Sequence, residues 1–139
     1  MGLVHQFAVI SKERDEDIIS SNMESVSISD EIIRYIGDSI KWINTTWNGK
    51  RIREGISYHG FSFIEGDEII KIKNIVIQWK ELFLLSPEKF YLTGDFLPDK
   101  GEYDKNLIVK NEIIEALNSF IELCEKAIVT EGKILHNGI

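Results

Sequence analysis

The chain has 139 residues, enough for one domain with a real core, and 43% of them are hydrophobic and 28% charged. It carries 23 acidic and 16 basic residues, a formal charge of −7, whereas a nucleic-acid-binding domain usually has a basic patch or stripe. The composition predicts a single globular domain over residues 1–139. It argues against direct binding of nucleic acid.

The cysteine content and the N-terminal residues bear on location. Cys124 is the one cysteine, so no internal disulfide can form, and this fits a reducing compartment. The first residues lack the basic and apolar segments of a secretory signal, and Phe7 argues against a myristoylation signal at Gly2. No apolar stretch is long enough to cross a bilayer. We expect a cytoplasmic protein with no membrane partner.

The N-terminal third predicts a strand, a loop and a helix. The apolar run 3–10 is typical of a buried strand, and the polar residues 12–22 indicate a surface loop or a frayed helical turn. Ser29 is suited to cap a helix, and the acidic residues after it favour the positive end of a helix dipole. Isoleucines then recur at helical spacing, at positions 32, 33, 36, 40 and 43. We expect this helix to end before Asn44.

The middle of the chain predicts strands followed by a second helix. Asn48-Gly49 is a turn signal, and the alternation on either side of Gly60 predicts strands there. The second helix follows Asp67 and ends at Ser86-Pro87. Its predicted buried face consists of Ile69, Ile72, Val76, Trp79 and Phe83.

The last third predicts a short strand at 90–93, a loop, a third helix and a final strand. The apolar face of the helix comprises Val109, Ile113, Leu117, Phe120, Ile121, Cys124 and Ile128. Gly132 ends the helix, and residues 133–136 are expected to return as an edge strand. The order of elements predicts an α+β fold in which about three helices pack on a mixed, largely antiparallel sheet.

The stretch 93–104 is where the periodic apolar pattern stops. Pro98 and Gly101 break secondary structure, while acidic side chains alternate with aromatic ones that a plain solvated loop would lack. We interpret it as a loop that recognises a basic protein partner. The predicted partner-binding residues in it are Asp95, Phe96, Asp99, Glu102, Tyr103 and Asp104. Trp47, beside the predicted turn, is a further candidate for the interface, with a structural lid over the core as the alternative.

No catalytic or metal-binding motif is present. His5, His59 and His136 lack a His or Cys partner at a ligand spacing, so we predict no metal site, although the three can still converge in space. Cys124 lies on an apolar helix face between glutamates, which is typical of a core residue and not of a thiolate nucleophile. The glycines match no phosphate-binding or dinucleotide pattern, and no nucleophile elbow occurs. We expect neither catalytic residues nor a cofactor.

Four motifs in the C-terminal half form a recognisable set: Trp79-Lys-Glu-Leu-Phe83, Ser86-Pro87, Phe90-Tyr-Leu-Thr-Gly94 and Ile134-Leu-His-Asn-Gly-Ile139. With these motifs, its small size and its acidity, the chain resembles the immunity proteins of bacterial polymorphic-toxin and contact-dependent-inhibition systems. It implies a protein that binds a cognate toxin domain, for example a nuclease with a basic substrate groove. These families share no functional residues, so the resemblance assigns none.

Two other functions stay open. One is a small enzyme whose carboxylates and histidine converge in space, for example Glu65, His59 and Asp95; a deep pocket joining them would favour it. The other is a homo-oligomeric structural or regulatory module that uses an exposed edge strand or the third helix. A concentration-stable dimer in solution would favour that alternative.

Overall fold

The computed structural model describes residues 3–139, so Gly2, at which we expect no myristoylation, lies outside the described residues. Eight strands and four helices follow one another along these residues. In chain order they are β1 (Val4–Ile10), β2 (Val26–Ser29), α1 (Asp30–Tyr35), α2 (Gly37–Ile40), β3 (Asn44–Trp47), β4 (Arg51–Glu54), β5 (Phe61–Ile64), α3 (Asp67–Leu84), β6 (Lys89–Leu97), β7 (Glu102–Val109), α4 (Lys110–Val129) and β8 (Lys133–Asn137).

The strands form a six-stranded sheet in the order β2-β1-β8-β5-β3-β4 and a separate two-stranded sheet of β6 and β7. All the pairings in both sheets are antiparallel. The predicted α+β class is therefore confirmed. The prediction of an edge strand at 133–136 is wrong, because β8 pairs with β1 on one side and β5 on the other. Its residues 133–136 are all buried, as a central strand covered on both faces requires.

The helices α3 and α4 pack on one face of the six-stranded sheet and enclose the main core. In α3 the five predicted apolar residues are the buried ones, which confirms its face. In α4 Ile113, Leu117, Phe120 and Cys124 are buried as predicted, together with Leu123 and Ala127. Ile128 is 38% exposed, so its predicted burial is wrong. It follows the buried Ala127, and successive helical residues point about 100° apart.

The predicted helix after Ser29 is broken into α1 and α2 at Ile36, which has φ −110° and ψ 16°. Gly37 follows the break, and glycine is a weak helix former. The hydroxyl of Ser39 donates to the carbonyl of Ile36 at 2.7 Å and satisfies a group that the break frees. The indole N–H of Trp79 donates to the same hydroxyl oxygen at 2.9 Å, which ties α2 to α3.

The opposite face of the six-stranded sheet is covered by the irregular segment 11–25, which includes the loop predicted at 12–22. A small second core of Ile10, Phe63 and Leu135 lies there, with Ile19 and Met23 packed against it. Asn137 ties the segment to β8, since its side-chain oxygen accepts from the amide of Ile19 at 2.8 Å.

The predicted turn at Asn48-Gly49 joins β3 to β4, and both residues have positive φ (53° and 68°), as a tight hairpin turn demands. The strand predicted before Gly60 is wrong in extent. Strand β4 ends at Glu54, and residues 55–60 are irregular. Their backbone is held by residues 138 and 139 instead, through Gly138 N–H to Gly60 O at 2.8 Å and Ile139 N–H to Tyr58 O at 3.0 Å.

In the part of the chain that the structure describes, no helix combines the length and the apolarity needed to cross a membrane.

Candidate functional site

The acidic stretch is not a loop, and that prediction is wrong. It forms the far half of the β6–β7 hairpin, and only residues 98–101 make the turn. Gly101 has φ 65°, and its amide donates to the carbonyl of Leu97 at 2.9 Å. Pro98 and Gly101 therefore lie in the turn between two strands, and regular structure continues on both sides of that turn. We call residues 95–104 the hairpin tip.

The hairpin tip brings together six of the seven predicted partner-binding residues, all of them exposed. A register irregularity between Thr93 and Phe96 includes Asp95 and precedes the other five. Beyond it Phe96 pairs with Tyr103 across the strands, with ring centroids 5.1 Å apart in an edge-to-face arrangement. The two residues are 49% and 56% exposed. An aromatic pair is thus presented to solvent on a two-stranded sheet.

The tip carries four carboxylates against one lysine, Lys100. Asp95 forms an exposed ion pair with Arg34 of α1, and this hydrogen bond raises the pKa of Arg34. Asp104 accepts from the backbone amide of Lys105 at 3.0 Å. Among residues 3–139, Asp99, Glu102 and Asp104 take part in no ion pair. Three of the four carboxylates of the hairpin tip therefore remain without a cation.

Trp47, the seventh predicted residue, lies on β3 of the other sheet. Its ring is half-buried, and its N–H donates to the carbonyl of Gly55 at 3.1 Å. The guanidinium of Arg53 lies over the ring, 5.6 Å from its centroid. Trp47 is thus placed in a separate pocket of mixed aromatic and basic character.

The three residues considered for an enzyme have three different settings. The carboxylate of Glu65 is 3.5 Å from the Thr46 hydroxyl, His59 packs edge-to-face on Tyr58, and Asp95 pairs with Arg34. The histidines that converge are His5 and His136. Their rings meet on the helix-covered face of the six-stranded sheet.

A hydrogen-bonded network extends from this histidine pair in both directions. Nδ1 of His5 lies 2.9 Å from Nε2 of His136, and Nε2 of His5 lies 3.0 Å from Oδ1 of Asp30. At the other end Nδ1 of His136 lies 3.4 Å from the hydroxyl of Ser62. The hydroxyl of Tyr58 donates to the same oxygen of Asp30. We call these five residues, Ser62, His136, His5, Asp30 and Tyr58, the histidine network.

One arrangement of protons satisfies every contact of the network. The carboxylate of Asp30 can only accept, so Nε2 of His5 carries a proton and its Nδ1 accepts from Nε2–H of His136. Nδ1 of His136 then accepts from the Ser62 hydroxyl. The oxygen of that hydroxyl in turn accepts from the backbone amide of Ser57 at 2.7 Å. All the hydrogen bonds point toward the carboxylate, and such one-way chains polarise one another.

Burial keeps the two imidazoles of the network neutral. His5, His136 and Ser62 are completely buried, and Phe7 packs against both His136 and Phe120. Burial lowers the pKa of His5, although the bond to Asp30 opposes the shift, and it lowers the pKa of His136 to about 3. Burial and the bond to Asp30 raise the pKa of Tyr58 to about 12. The network therefore holds neutral imidazoles and a protonated phenol at neutral pH.

Two side chains that carry nucleophilic atoms, Ser62 and Cys124, are completely buried. The Ser62 hydroxyl is inside the protein and meets no solvent. Burial also raises the pKa of the Cys124 thiol to about 12, so this cysteine is the core residue that its position predicts. Among residues 3–139 no three His, Cys, Asp or Glu side chains are grouped so as to hold a metal ion.

Sequence reasoning missed Asp30, Tyr58 and Ser62, and it left the convergence of the histidines open. One signal was present. His5 and His136 stand two residues from Phe7 and Ile134, which face the core, and alternate residues of a strand share a face. Both histidines were therefore at inward positions.

Comparison of the chain with protein-family models, with curated proteins and with solved structures gave no match in any of the three.

Proposed function

We propose that this protein is an immunity-type protein that binds and neutralises a cognate bacterial toxin domain through the acidic hairpin tip. The observation that carries the proposal is the exposed Phe96–Tyr103 pair next to Asp99 and Glu102, which have no ion pair among residues 3–139. A basic protein surface is the partner that this combination suits. A nuclease domain, whose substrate groove is basic, is the favoured class.

Two general features of protein interfaces explain why the hairpin tip suits a basic partner. Aromatic residues that become buried at the centre of an interface supply much of its binding free energy. Carboxylates around them steer a basic partner and raise the association rate, and they favour the correct orientation. The tip supplies both parts on a hairpin that pairs with no further strand among residues 3–139. Its exposed backbone edges and side chains are available to a partner.

An enzyme has less support. The polar groups with altered pKa values lie mainly in the histidine network, whose imidazoles and serine are buried. Glu65, His59 and Asp95 have separate partners. The exposed groups of the hairpin tip therefore support a binding function better than the buried network supports catalysis.

The first experiment concerns the genomic neighbour. The C-terminal domain of the protein encoded immediately upstream is expressed in a test bacterium with and without this chain. We expect the domain to arrest growth, and we expect this chain to restore growth and to co-purify with it. A metabolic enzyme encoded upstream, or a toxic domain that this chain neither binds nor neutralises, would contradict the proposal.

The second experiment tests the hairpin tip within that complex. Reversal of the charges at Asp99 and Glu102 to lysine should slow association at low salt by about tenfold or more and flatten its salt dependence. The matched control reverses Glu115 and Glu122, which are exposed on α4 and change the net charge equally. Equal effects of the two double variants would mean that net charge alone acts, and unchanged kinetics would remove the tip from the interface.

The aromatic pair is tested separately through dissociation. Phe96→Ala should raise the Kd by about 30-fold, as expected for an interface hot spot of about 2 kcal/mol. Tyr91→Ala is the control, since Tyr91 is an exposed aromatic on the same hairpin outside the tip. A similar loss in both variants would show a general effect of the hairpin and not an anchor at Phe96.

A further inference from the structure

A pocket of about 340 Å³ lies where the β3–β4 hairpin meets the irregular segment 55–60. It is distinct from the hairpin tip. The residues that line it are Trp47, Asn48, Arg51, Arg53, Ser57, Tyr58 and His59. We call it the edge pocket, because β4 is the outer strand of the six-stranded sheet.

The edge pocket is basic in an acidic protein. Its lining contains two arginines and a histidine and no carboxylate, although acidic residues outnumber basic ones by 23 to 16 in the chain. Arg51 pairs in register with Trp47, and Arg53 pairs with Thr45, so both arginines project from the same face of β4. Among residues 3–139 neither arginine forms an ion pair. Two neighbouring cations thus lack a counter-charge.

One of the guanidinium groups lies over an aromatic ring. Arg53 is 5.6 Å from the centroid of the Trp47 ring. The face of an aromatic ring attracts a cation without using its N–H groups, and the fork of these N–H groups matches the oxygens of a phosphate or carboxylate. Trp47 is itself fixed by its bond to the Gly55 carbonyl at 3.1 Å. The ring therefore gives the exposed Arg53 side chain a fixed partner at the pocket.

The remaining walls are also fixed. The side-chain oxygen of Asn48 accepts from the amide of Phe61 at 3.2 Å, which leaves its NH₂ group as a donor. Tyr58 is bonded to Asp30, and the amide of Ser57 is bonded to Ser62, so the histidine network supports the floor of the pocket. Ile139 N–H holds the Tyr58 carbonyl at 3.0 Å.

We propose that the edge pocket binds a small phosphate monoester, with Arg51 and Arg53 as ligands of the phosphate oxygens. His59 and the Asn48 amide supply further donors at the same pocket. A phosphate monoester has a charge near −2 and three terminal oxygens, which suits two guanidinium groups better than a single carboxylate does. The volume exceeds that of phosphate alone and lies in the range of small-molecule sites, so the ligand extends beyond its phosphate group.

Isothermal titration calorimetry on the full chain at about 0.15 M salt tests the site, with adenosine monophosphate, inorganic phosphate and adenosine as probes. We expect the monophosphate to bind with a Kd below about 1 mM, inorganic phosphate to bind more weakly, and adenosine not to bind. Absence of binding by both phosphate-containing probes would overturn the proposal. Equal binding of adenosine and its monophosphate would overturn the role of the arginines.

Substitutions at Arg53 distinguish a specific binding site from non-specific electrostatic attraction. Arg53→Ala should weaken binding of the monophosphate at least about tenfold, and Arg53→Lys should weaken it severalfold, because lysine keeps the charge but not the fork. Lys50→Ala is the matched control, since Lys50 is an exposed neighbour outside the pocket lining. Arg53 is exposed, so these variants are expected to fold. Equal weakening by Lys50→Ala and Arg53→Ala would reduce the site to non-specific attraction and contradict the proposal.

Discussion

Nδ1 of His5 lies 2.9 Å from Nε2 of His136, and the planes of the two rings are within 12° of each other. A single N–H donates across this contact. If both rings were protonated, two N–H donors and two positive charges would point at each other. Both side chains are completely buried, and burial lowers both pKa values. The pair therefore connects the stability of the central strands to pH.

The first prediction concerns that dependence. The unfolded chain binds protons on these histidines below about pH 6.5, whereas the folded protein resists them, and the pKa of His136 in the fold is about 3. Their contribution to stability is complete above pH 6.5 and is lost as the pH falls. Each histidine can contribute a slope of up to about 1.4 kcal/mol per pH unit to the free energy of unfolding. Urea unfolding between about pH 5 and pH 7.5 measures the slope.

His136→Asn should lower the stability at neutral pH and make this slope shallower by removing one of the titrating groups. The matched control is His59→Asn, since His59 is exposed and outside the histidine network. It should leave the stability at neutral pH close to that of the wild type, because it replaces an exposed side chain outside the network. A wild-type stability that stays flat from neutral pH down to about pH 5 would contradict the buried neutral pair.

The second prediction concerns Ser62. Ser62→Ala removes the acceptor of the Ser57 amide and the donor to Nδ1 of His136, both in a fully buried setting. Leaving buried polar groups unpaired should lower the free energy of unfolding by about 1 to 3 kcal/mol. Ser119→Ala is the control, because Ser119 is exposed on α4, and it should change the stability by less than about 0.5 kcal/mol. Chemical denaturation compares the two, and equal effects would show that Ser62 is not a required member of the network.

The third prediction concerns Tyr58, whose pKa is raised to about 12 by burial and by its bond to Asp30. Absorbance titration of the phenols should show one component with a midpoint near 12, and Tyr58→Phe should remove that component. Because the folded protein retains the proton longer than the unfolded chain does, this group favours folding below about pH 10 and loses that effect as the pH rises further. At neutral pH we expect Tyr58→Phe to cost about 1 kcal/mol, from the lost donor to the carboxylate.

The fourth prediction uses two glycines in opposite surroundings. A Cβ atom added at Gly138 would overlap the carbonyl oxygen of Tyr58, while one added at Gly37 would meet no atom of residues 3–139 within 4 Å. Gly138→Ala should therefore displace the segment around Tyr58 and lower the free energy of unfolding by about 1 to 3 kcal/mol. Gly37→Ala, in the short helix α2, should be neutral or raise it by up to about 1 kcal/mol. Thermal unfolding checks both, and a Gly138→Ala protein as stable as the wild type would mean that the close approach is absent in solution.

The sequence was sufficient where local periodicity decides structure. The five buried residues of α3 repeat at helical spacing along one segment, so their face was predicted without knowledge of any partner. The short strand predicted at 90–93 is part of β6, whereas the rest of the β6–β7 hairpin was missed because it is largely exposed and has no clear apolar alternation. What defines it is the pairing of residues such as Phe96 and Tyr103 across a turn.

The histidine network depends on contacts that are distant in sequence. His5 and His136 are 131 positions apart and meet because β8 enters between β1 and β5, and one sequence does not encode this strand order locally. The expectation of an edge strand at 133–136 was made without a strand order, which one sequence does not give. Its burial on both faces is a tertiary property, created by the helices on one side and the segment 11–25 on the other.

The last prediction concerns the attachment of the hairpin to the helical layer. Arg34 of α1 pairs with Asp95 at the start of the hairpin tip, and both side chains are largely exposed. A double-mutant cycle with Arg34→Ala and Asp95→Ala should give a coupling energy below about 1 kcal/mol that decreases at high salt, because water screens the pair. Lys126 and Glu24, another exposed pair at 3.4 Å, provide the control cycle. A coupling well above 1 kcal/mol that salt does not weaken would mean that this contact is shielded from water and fixes the hairpin rigidly to α1.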